Sequence, residues 1–212
     1  MAVAGALSVA VLLGPASARA LGLDVLEGGG TLDSGNGQLS FSDFSVVRSG
    51  SIAADLSLFE VEALSDGLAI HGPIDATGGQ AGDLFVQFKV TSLQPLEQAA
   101  LSIQGSASGD DALASVTESI GELGDAQLFA YTTSGGQKLS DTLAISSGKT
   151  LSVAKDIVVD GGASGEAHIT RIEQHFGGAQ APEARTALLL GLALLGLGAR
   201  RAQGRPRAVA HD

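Results

Sequence analysis

Apolar and polar residues alternate with a period of two along most of the middle of the chain, and a 3.6-residue period is hard to find there. The clearest run is Leu84, Val86, Phe88 and Val90, with Gln87, Lys89 and Thr91 on the other face. Leu39 and Phe41 share one parity while Phe44 and Val46 take the other, which predicts a bulge at Ser42-Asp43. Ile52, Ala54, Leu56 and Leu58 predict a further strand, with a change of phase at Phe59 and Val61. Leu68 and Ile70 form a short one that stops at His71-Gly72-Pro73. Leu101 and Ile103 follow a turn at Gln94-Pro95, and then come Ala114, Val116 and Ile120, Leu128 to Tyr131, and Leu143 and Ile145. Leu151, Val153, Ile157 and Val159 make another strand, and a last one spans Ala167 to Phe176.

Glycine-rich turns separate these runs, at Gly28-Gly29-Gly30, Ser34-Gly35-Asn36-Gly37, Gly78-Gly79, Ser134-Gly135-Gly136, Ser147-Gly148 and Gly161-Gly162. About ten short strands joined this way predict an all-β fold, an antiparallel, jelly-roll-like β-sandwich over residues 21–176, with a closed barrel as the alternative. An outer-membrane barrel is disfavoured, because outward positions carry charge where a lipid-facing band would be apolar.

The two ends read differently. Met1 to Ala20 has an apolar stretch from Val3 to Leu13 and then small residues in Ala16-Ser17-Ala18-Arg19-Ala20, the pattern of a secretory signal peptide whose removal starts the mature chain at Arg19 or Leu21. The basic segment that usually opens such a signal is missing, which points to a true start upstream of Met1; a non-cleaved anchor is the alternative. At the other end, residues 177–181 read as a linker. After Pro182-Glu183-Ala184-Arg185, the run Thr186 to Ala199 holds only Leu, Ala, Gly and one Thr, followed by Arg200, Arg201, Arg205 and Arg207. As a helix these roughly 14 residues span about 21 Å against a hydrocarbon core of about 30 Å. The flanking arginines reach the headgroups along their stems and lengthen the usable span. A cationic cluster after a membrane helix marks the cytoplasmic side, so the domain before it lies outside the cytoplasm, and the four arginines act as a stop-transfer signal.

A Pro-Glu motif, a short Leu/Gly/Ala-rich helix and a terminal arginine cluster, in that order, resemble the PEP-CTERM sorting signal of exported proteins of Gram-negative bacteria. The usual third motif residue is proline, and here it is Ala184. The resemblance implies recognition at Pro182, Glu183 and Ala184, cleavage by an exosortase-like membrane enzyme after signal peptidase has acted, and transient residence in the inner membrane. It also implies delivery to the cell surface or an extracellular matrix, where exopolysaccharide is an expected partner. The stretch from Gly28 to Val46 and Ser115 to Ile120 resemble segments of uncharacterised members of the same group.

Charge and composition agree with export. There is no cysteine, which excludes a lipidated N-terminus, a disulfide framework and a thiolate nucleophile. Between Leu21 and Ala181 six Lys/Arg face 21 Asp/Glu, so the exported part carries a net charge near −15. That charge opposes nucleic acid and anionic lipid as partners.

Motifs for chemistry mostly fail. Gly148-Lys149-Thr150 ends like a phosphate-binding loop, but Leu143 stands where the first glycine is needed, so the segment reads as a turn. Asp33-Ser34-Gly35-Asn36-Gly37 has oxygen donors on a tight turn but not the ligand spacing of a calcium loop. His168 and His175, seven apart, fall on opposite faces of a regular strand, and His71 sits at a strand end; all three read as rim residues, not metal ligands. Sugar-binding faces favour aromatic platforms, and the chain has no Trp and only Tyr131 as tyrosine. No cofactor and no catalytic constellation is predicted. The expected function is that of a non-enzymatic surface or matrix protein, with a polysaccharide-binding module or a hydrolase on the same sandwich as the alternative. A buried, clustered pair of acids in a cleft would favour the alternative.

Overall fold

A computed structural model describes residues 19–121, 126–145 and 148–178. The chain divides after Gly178, and residues 179–212 lie outside the described part. The sorting motif, the predicted helix from Thr186 to Ala199 and the arginine cluster therefore fall outside it, as does most of the predicted signal peptide. Among the described residues no helix is long and apolar enough to cross a membrane.

Every strand pairing is antiparallel, and the strands form two sheets. The first sheet has the order β1 (Ala20–Gly22), β4 (Glu60–Ala63), β5 (Gly67–His71), β14 (Glu166–Gly178), β8 (Leu96–Ser108) and β12 (Ser140–Ala144), with β6 (Ile74–Thr77) also paired to β14. The second runs β11 (Gly136–Lys138), β10 (Gln127–Thr133), β9 (Leu113–Ile120), β13 (Thr150–Asp160), β7 (Ala81–Ser92), β3 (Leu39–Gly50) and β2 (Leu32–Asp33). The fold is an antiparallel β-sandwich, as the alternation predicts. Its strands outnumber the expected ten because β1, β2, β6 and β11, each of four residues or fewer, are too short to show a period. β14 continues through Gly178, two residues into the segment that the sequence reads as a linker.

The inner faces of the two sheets form one core. From β7 it takes Leu84, Val86, Phe88 and Val90, and from β13 Leu151, Val153, Ile157 and Val159, all at most 2% exposed. The predicted bulge is present: the β3–β7 register slips between Ser42 and Ser45, and Asp43 takes a left-handed φ of 54°. The extra residue turns both Phe41 and Phe44 inward. Phe41 lies 6.1 Å from Phe88 in an edge-on contact and 6.3 Å from Phe176 of the opposite sheet, while Phe44 stacks on Phe88 at 5.4 Å.

Two expectations are corrected. Ile52 to Leu58 is not a strand: a turn at Gly50, with φ of 67°, leads into a short 3₁₀ turn at Leu56–Leu58. Asp55 Oδ1 accepts hydrogen bonds from the Ser57 amide at 3.0 Å and the Ser57 hydroxyl at 2.7 Å, and this local capping replaces a sheet ladder. Only Ile52 of the four apolar residues is largely buried there, and Leu58 is exposed. Second, His168 and His175 share a face. The β14–β8 register slips between Ile169 and Arg171, so Thr170 is an extra residue that inverts the alternation. Ala167 and Ile169 point inward before it, Ile172, Gln174 and Phe176 after it, and both histidines point outward. They remain roughly 20 Å apart along the strand, too far for one metal ion.

Among the described residues, three side chains that carry a charge or a carboxamide interrupt the apolar core. Lys155 of β13, Glu118 of β9 and Gln174 of β14 are each 0% exposed. Lys155 and Glu118 are direct partners in the β13–β9 ladder, and Gln174 reaches them from the facing sheet. Lys155 Nζ donates to Glu118 Oε2 and, at 2.5 Å, to Gln174 Oε1.

Candidate functional site

The outer face of the second sheet is the surface best built to hold a ligand. Period two puts alternate residues of β10, β9, β13, β7 and β3 on it, and the registers align them in rows. One row runs Phe129, Thr117, Asp156, Phe85, Val47. The next runs Tyr131, Ser115, Val158, Asp83, Ser49, and a third Gln127, Ser119, Ala154, Gln87, Ser45. Phe129 and Tyr131, two apart on β10, stack with ring centroids 5.3 Å apart and planes 26° from parallel. Phe129 is 40% exposed, so one aromatic surface is offered to solvent. β10 is held in place by its ladder with β9 and by Asp141, whose Oδ2 accepts from the Phe129 amide at 3.0 Å and from Lys138 Nζ at 2.9 Å.

Beside the rows lies an open depression of about 300 Å³ between Gln87, Ser119 and Ala154 on one side and the Asp43–Lys89 ion pair, 2.8 Å long, on the other. Asp43 stands there because the bulge carries it out of the ladder. Asp156 and Asp83 are diagonal neighbours on the same face, and burial, then the neighbouring Asp83 charge, pushes the Asp156 carboxyl above its usual range. This acid pair is solvent-exposed on a sheet face and does not line the depression. It is therefore not the buried pair in a cleft that would favour a hydrolase. Amides, hydroxyls and carboxylates spaced by the sheet ladder, next to an exposed ring, can hydrogen-bond a polyhydroxylated ligand and stack on its apolar face.

The outer face of the first sheet carries an ion-pair network. Arg171 Nη1 donates to Glu62 Oε2 at 2.8 Å and its Nε to Glu173 Oε1 at 2.5 Å. His71 Nε2 lies 3.2 Å from Glu62, and His175 Nδ1 2.8 Å from Asp66. The Arg171 hydrogen bonds hold the Glu62 and Glu173 carboxyls below their usual range. His168 Nδ1 lies 3.3 Å from the Ser106 hydroxyl. His71, His168 and His175 thus sit half-buried on the outer face of the first sheet, each with a hydrogen-bonding neighbour, and the two on β14 lie in the interior of the sheet, not on its rim. Among the described residues no three His, Asp or Glu side chains gather as a metal site would require.

The first of the two loop motifs is a turn, and the second runs into a strand. Asn36 Oδ1 accepts from Ser34 Oγ at 2.8 Å and from the Gln38 amide at 2.9 Å, and Gly37 has φ of 68°, so the donors of Asp33 to Gly37 close the β2–β3 connection. Lys149 leads into β13, its carbonyl accepting from the Ser92 amide at 2.7 Å. The sorting residues Pro182, Glu183 and Ala184 and the arginines Arg200, Arg201, Arg205 and Arg207 lie outside the described residues. Sequence reasoning misses the Phe129 platform and the Lys155–Glu118–Gln174 cluster. The signal for both is parity: Phe129 and Tyr131 alternate with the inward Leu128 and Ala130, while positions 118 and 155 fall on inward parity.

No family model matches the chain, and no curated protein matches it. Among solved structures, the enzymatically active domain of tailspike protein 4 of bacteriophage CBA120 is similar over 66% of this chain at 13% identity and a TM-score of 0.29, and the chain spans only 19% of that protein. The CBM22-1 xylan-binding domain of Paenibacillus barcinonensis Xyn10C is similar over 76% of this chain and 94% of its own length, at 9% identity and a TM-score of 0.25.

Proposed function

We propose that the chain is an exported, non-enzymatic surface or matrix protein whose β-sandwich holds neutral extracellular polysaccharide on the outer face of its second sheet. The observation that carries this reading is the stacked Phe129–Tyr131 pair at the head of ordered rows of hydroxyl, amide and carboxylate side chains. The net charge near −15 of residues 21–181 repels polyanions and so favours an uncharged glycan. Titration of the purified domain with neutral polysaccharides by calorimetry tests it. Phe129→Ala and Tyr131→Ala are each expected to weaken binding about tenfold, the equivalent of about 1.4 kcal/mol. Unchanged affinity in both variants, or no binding to any neutral glycan, overturns the reading.

Sorting through the tail is the second part of the proposal and rests on Pro182-Glu183-Ala184, the apolar run and the arginines. At the other end, Ala20 pairs with Glu62, and the Ala63 amide donates to the Arg19 carbonyl at 2.8 Å. A cut before Arg19 leaves β1 whole and a cut before Leu21 does not, which favours Arg19 as the mature start. Mass spectrometry of protein from the native host is expected to find Arg19 at the N-terminus and a C-terminus near Glu183. An intact tail on mature surface protein would reduce the segment to a plain anchor.

A further inference from the structure

Among the described residues Glu118, Lys155 and Gln174 are the only buried side chains that carry a charge or a carboxamide, and all three meet at one point. They come from three strands and both sheets, so chance placement along one element does not explain their meeting. A lysine amine, a carboxamide and a carboxylic acid in contact, shielded from water, are the components of a transamidation. Lys155 Nζ lies 2.5 Å from Gln174 Oε1 and also donates to Glu118 Oε2. The Gln174 amide nitrogen donates to the His175 carbonyl at 3.4 Å. Glu118 Oε1 is buried with no hydrogen-bond partner. An orphaned acceptor in a core is costly, so its presence calls for an explanation.

We propose that Lys155 and Gln174 are joined by an intramolecular isopeptide bond that the folded protein forms by itself, with Glu118 carrying the protons. The amine lone pair on Nζ attacks Gln174 Cδ, and the new N–C bond forms as the carbonyl becomes tetrahedral. Glu118 protonates the departing amide nitrogen through one oxygen and takes the surplus proton from Nζ with the other. The Cδ–Nε2 bond breaks, ammonia leaves, and Glu118 ends as it began. One amine and one primary amide become one secondary amide and one ammonia, with no oxidant, metal or nucleotide consumed.

The environment suits each step. Burial lowers the lysine's affinity for its proton and raises that of the glutamic acid, so both groups are driven toward their neutral forms, amine and acid. Fixing amine and amide in contact makes the encounter intramolecular, a large part of what an enzyme would otherwise supply. Val116 and Ile120 flank Glu118 on its strand, Val153 and Ile157 flank Lys155, and all four are at most 2% exposed, so water that would hydrolyse the product is kept out. The bond would tie β13 of one sheet to β14 of the other. In a chain without cysteine it takes the place that a disulfide holds in other exported proteins.

The full-length chain, purified folded and then denatured, is expected to be lighter by one ammonia than its sequence, after allowance for any terminal processing. Tryptic digestion should leave the Lys155 bond uncut and yield one branched species joining the Thr150–Arg171 peptide to the peptide that begins at Ile172; this also excludes ammonia loss elsewhere. Glu118→Gln keeps amine and amide but removes the acid, and Lys155→Arg removes the nucleophile; both are expected to have the unmodified mass and separate peptides. Unreacted mass with separate peptides in folded wild-type protein overturns the proposal. So does a loss of water with a Lys155–Glu118 branch, which would place the bond on the wrong partner. A folded Glu118→Gln protein that still carries the branch would remove Glu118 from the mechanism.

Discussion

Replacing Glu118 with alanine is expected to lower the melting temperature by on the order of 10 °C, following a loss of about 3–5 kcal/mol for breaking a buried pair by removing one partner. Three causes act together. Lys155, 0% exposed, is left as a buried amine with no acid beside it in the ladder. The vacated volume lies between Val116 and Ile120, where the packed sheets collapse poorly. And with the acid gone the isopeptide bond does not form, which returns to the unfolded chain the freedom of a loop of 19 residues, worth about 3 kcal/mol in the chain-entropy account. A triple variant carrying Glu118→Leu, Lys155→Met and Gln174→Leu separates these causes. Apolar side chains of similar volume cancel the first two, since a buried pair is often no more stabilising than such a replacement. The triple variant is therefore expected to melt below wild type by the cross-link's share alone. Differential scanning calorimetry on the three proteins reads the result; a Glu118→Ala variant within a degree or two of wild type would show that the cluster is solvated.

How far the sequence reveals this molecule depends on how far each feature is local. β7 and β13 are legible because a strand buried on one face writes period two directly into its residues. Bulges are legible too, as a three-residue step between inward apolar positions: Phe41 to Phe44 marks one, and Ile169 to Ile172 marks the other. Treating the second stretch as regular places His168 and His175 on opposite faces. Alternation misleads at Ile52 to Leu58, where one capping aspartate outweighs four alternating apolar residues. The ligand face is half legible. Parity sends Phe129 and Tyr131 outward, but their alignment with Thr117, Asp156 and Phe85 is set by registers between strands far apart in the chain. The Lys155–Glu118–Gln174 cluster is the extreme case: partners 37 and 19 residues apart meet only once both sheets have formed. A lysine on inward parity is the sole local sign of it.

Phe41→Ala is expected to cost about 3–5 kcal/mol, the range for truncating a buried aromatic ring, and so to lower the melting temperature by on the order of 10 °C as well. Position decides the magnitude. Phe41 is 0% exposed and contacts rings of both sheets, Phe88 of β7 and, across the sandwich, Phe176 of β14. Losing it removes the edge-on contact at 6.1 Å and the cross-sheet contact at 6.3 Å and opens a cavity that Phe88, already stacked on Phe44 at 5.4 Å, cannot turn to fill. Phe129→Ala supplies the control, because that ring is 40% exposed on the outer face and its removal leaves the core intact. The two variants separate the phenylalanine that holds the sheets together from the one that meets the ligand. Phe41→Ala should unfold early, with the binding of any protein still folded unchanged, whereas Phe129→Ala should melt close to wild type and lose glycan affinity. Thermal melts and calorimetric titrations on the same samples measure both. Equal melting temperatures for the two variants would show that the aromatic cluster between the sheets does not anchor the fold.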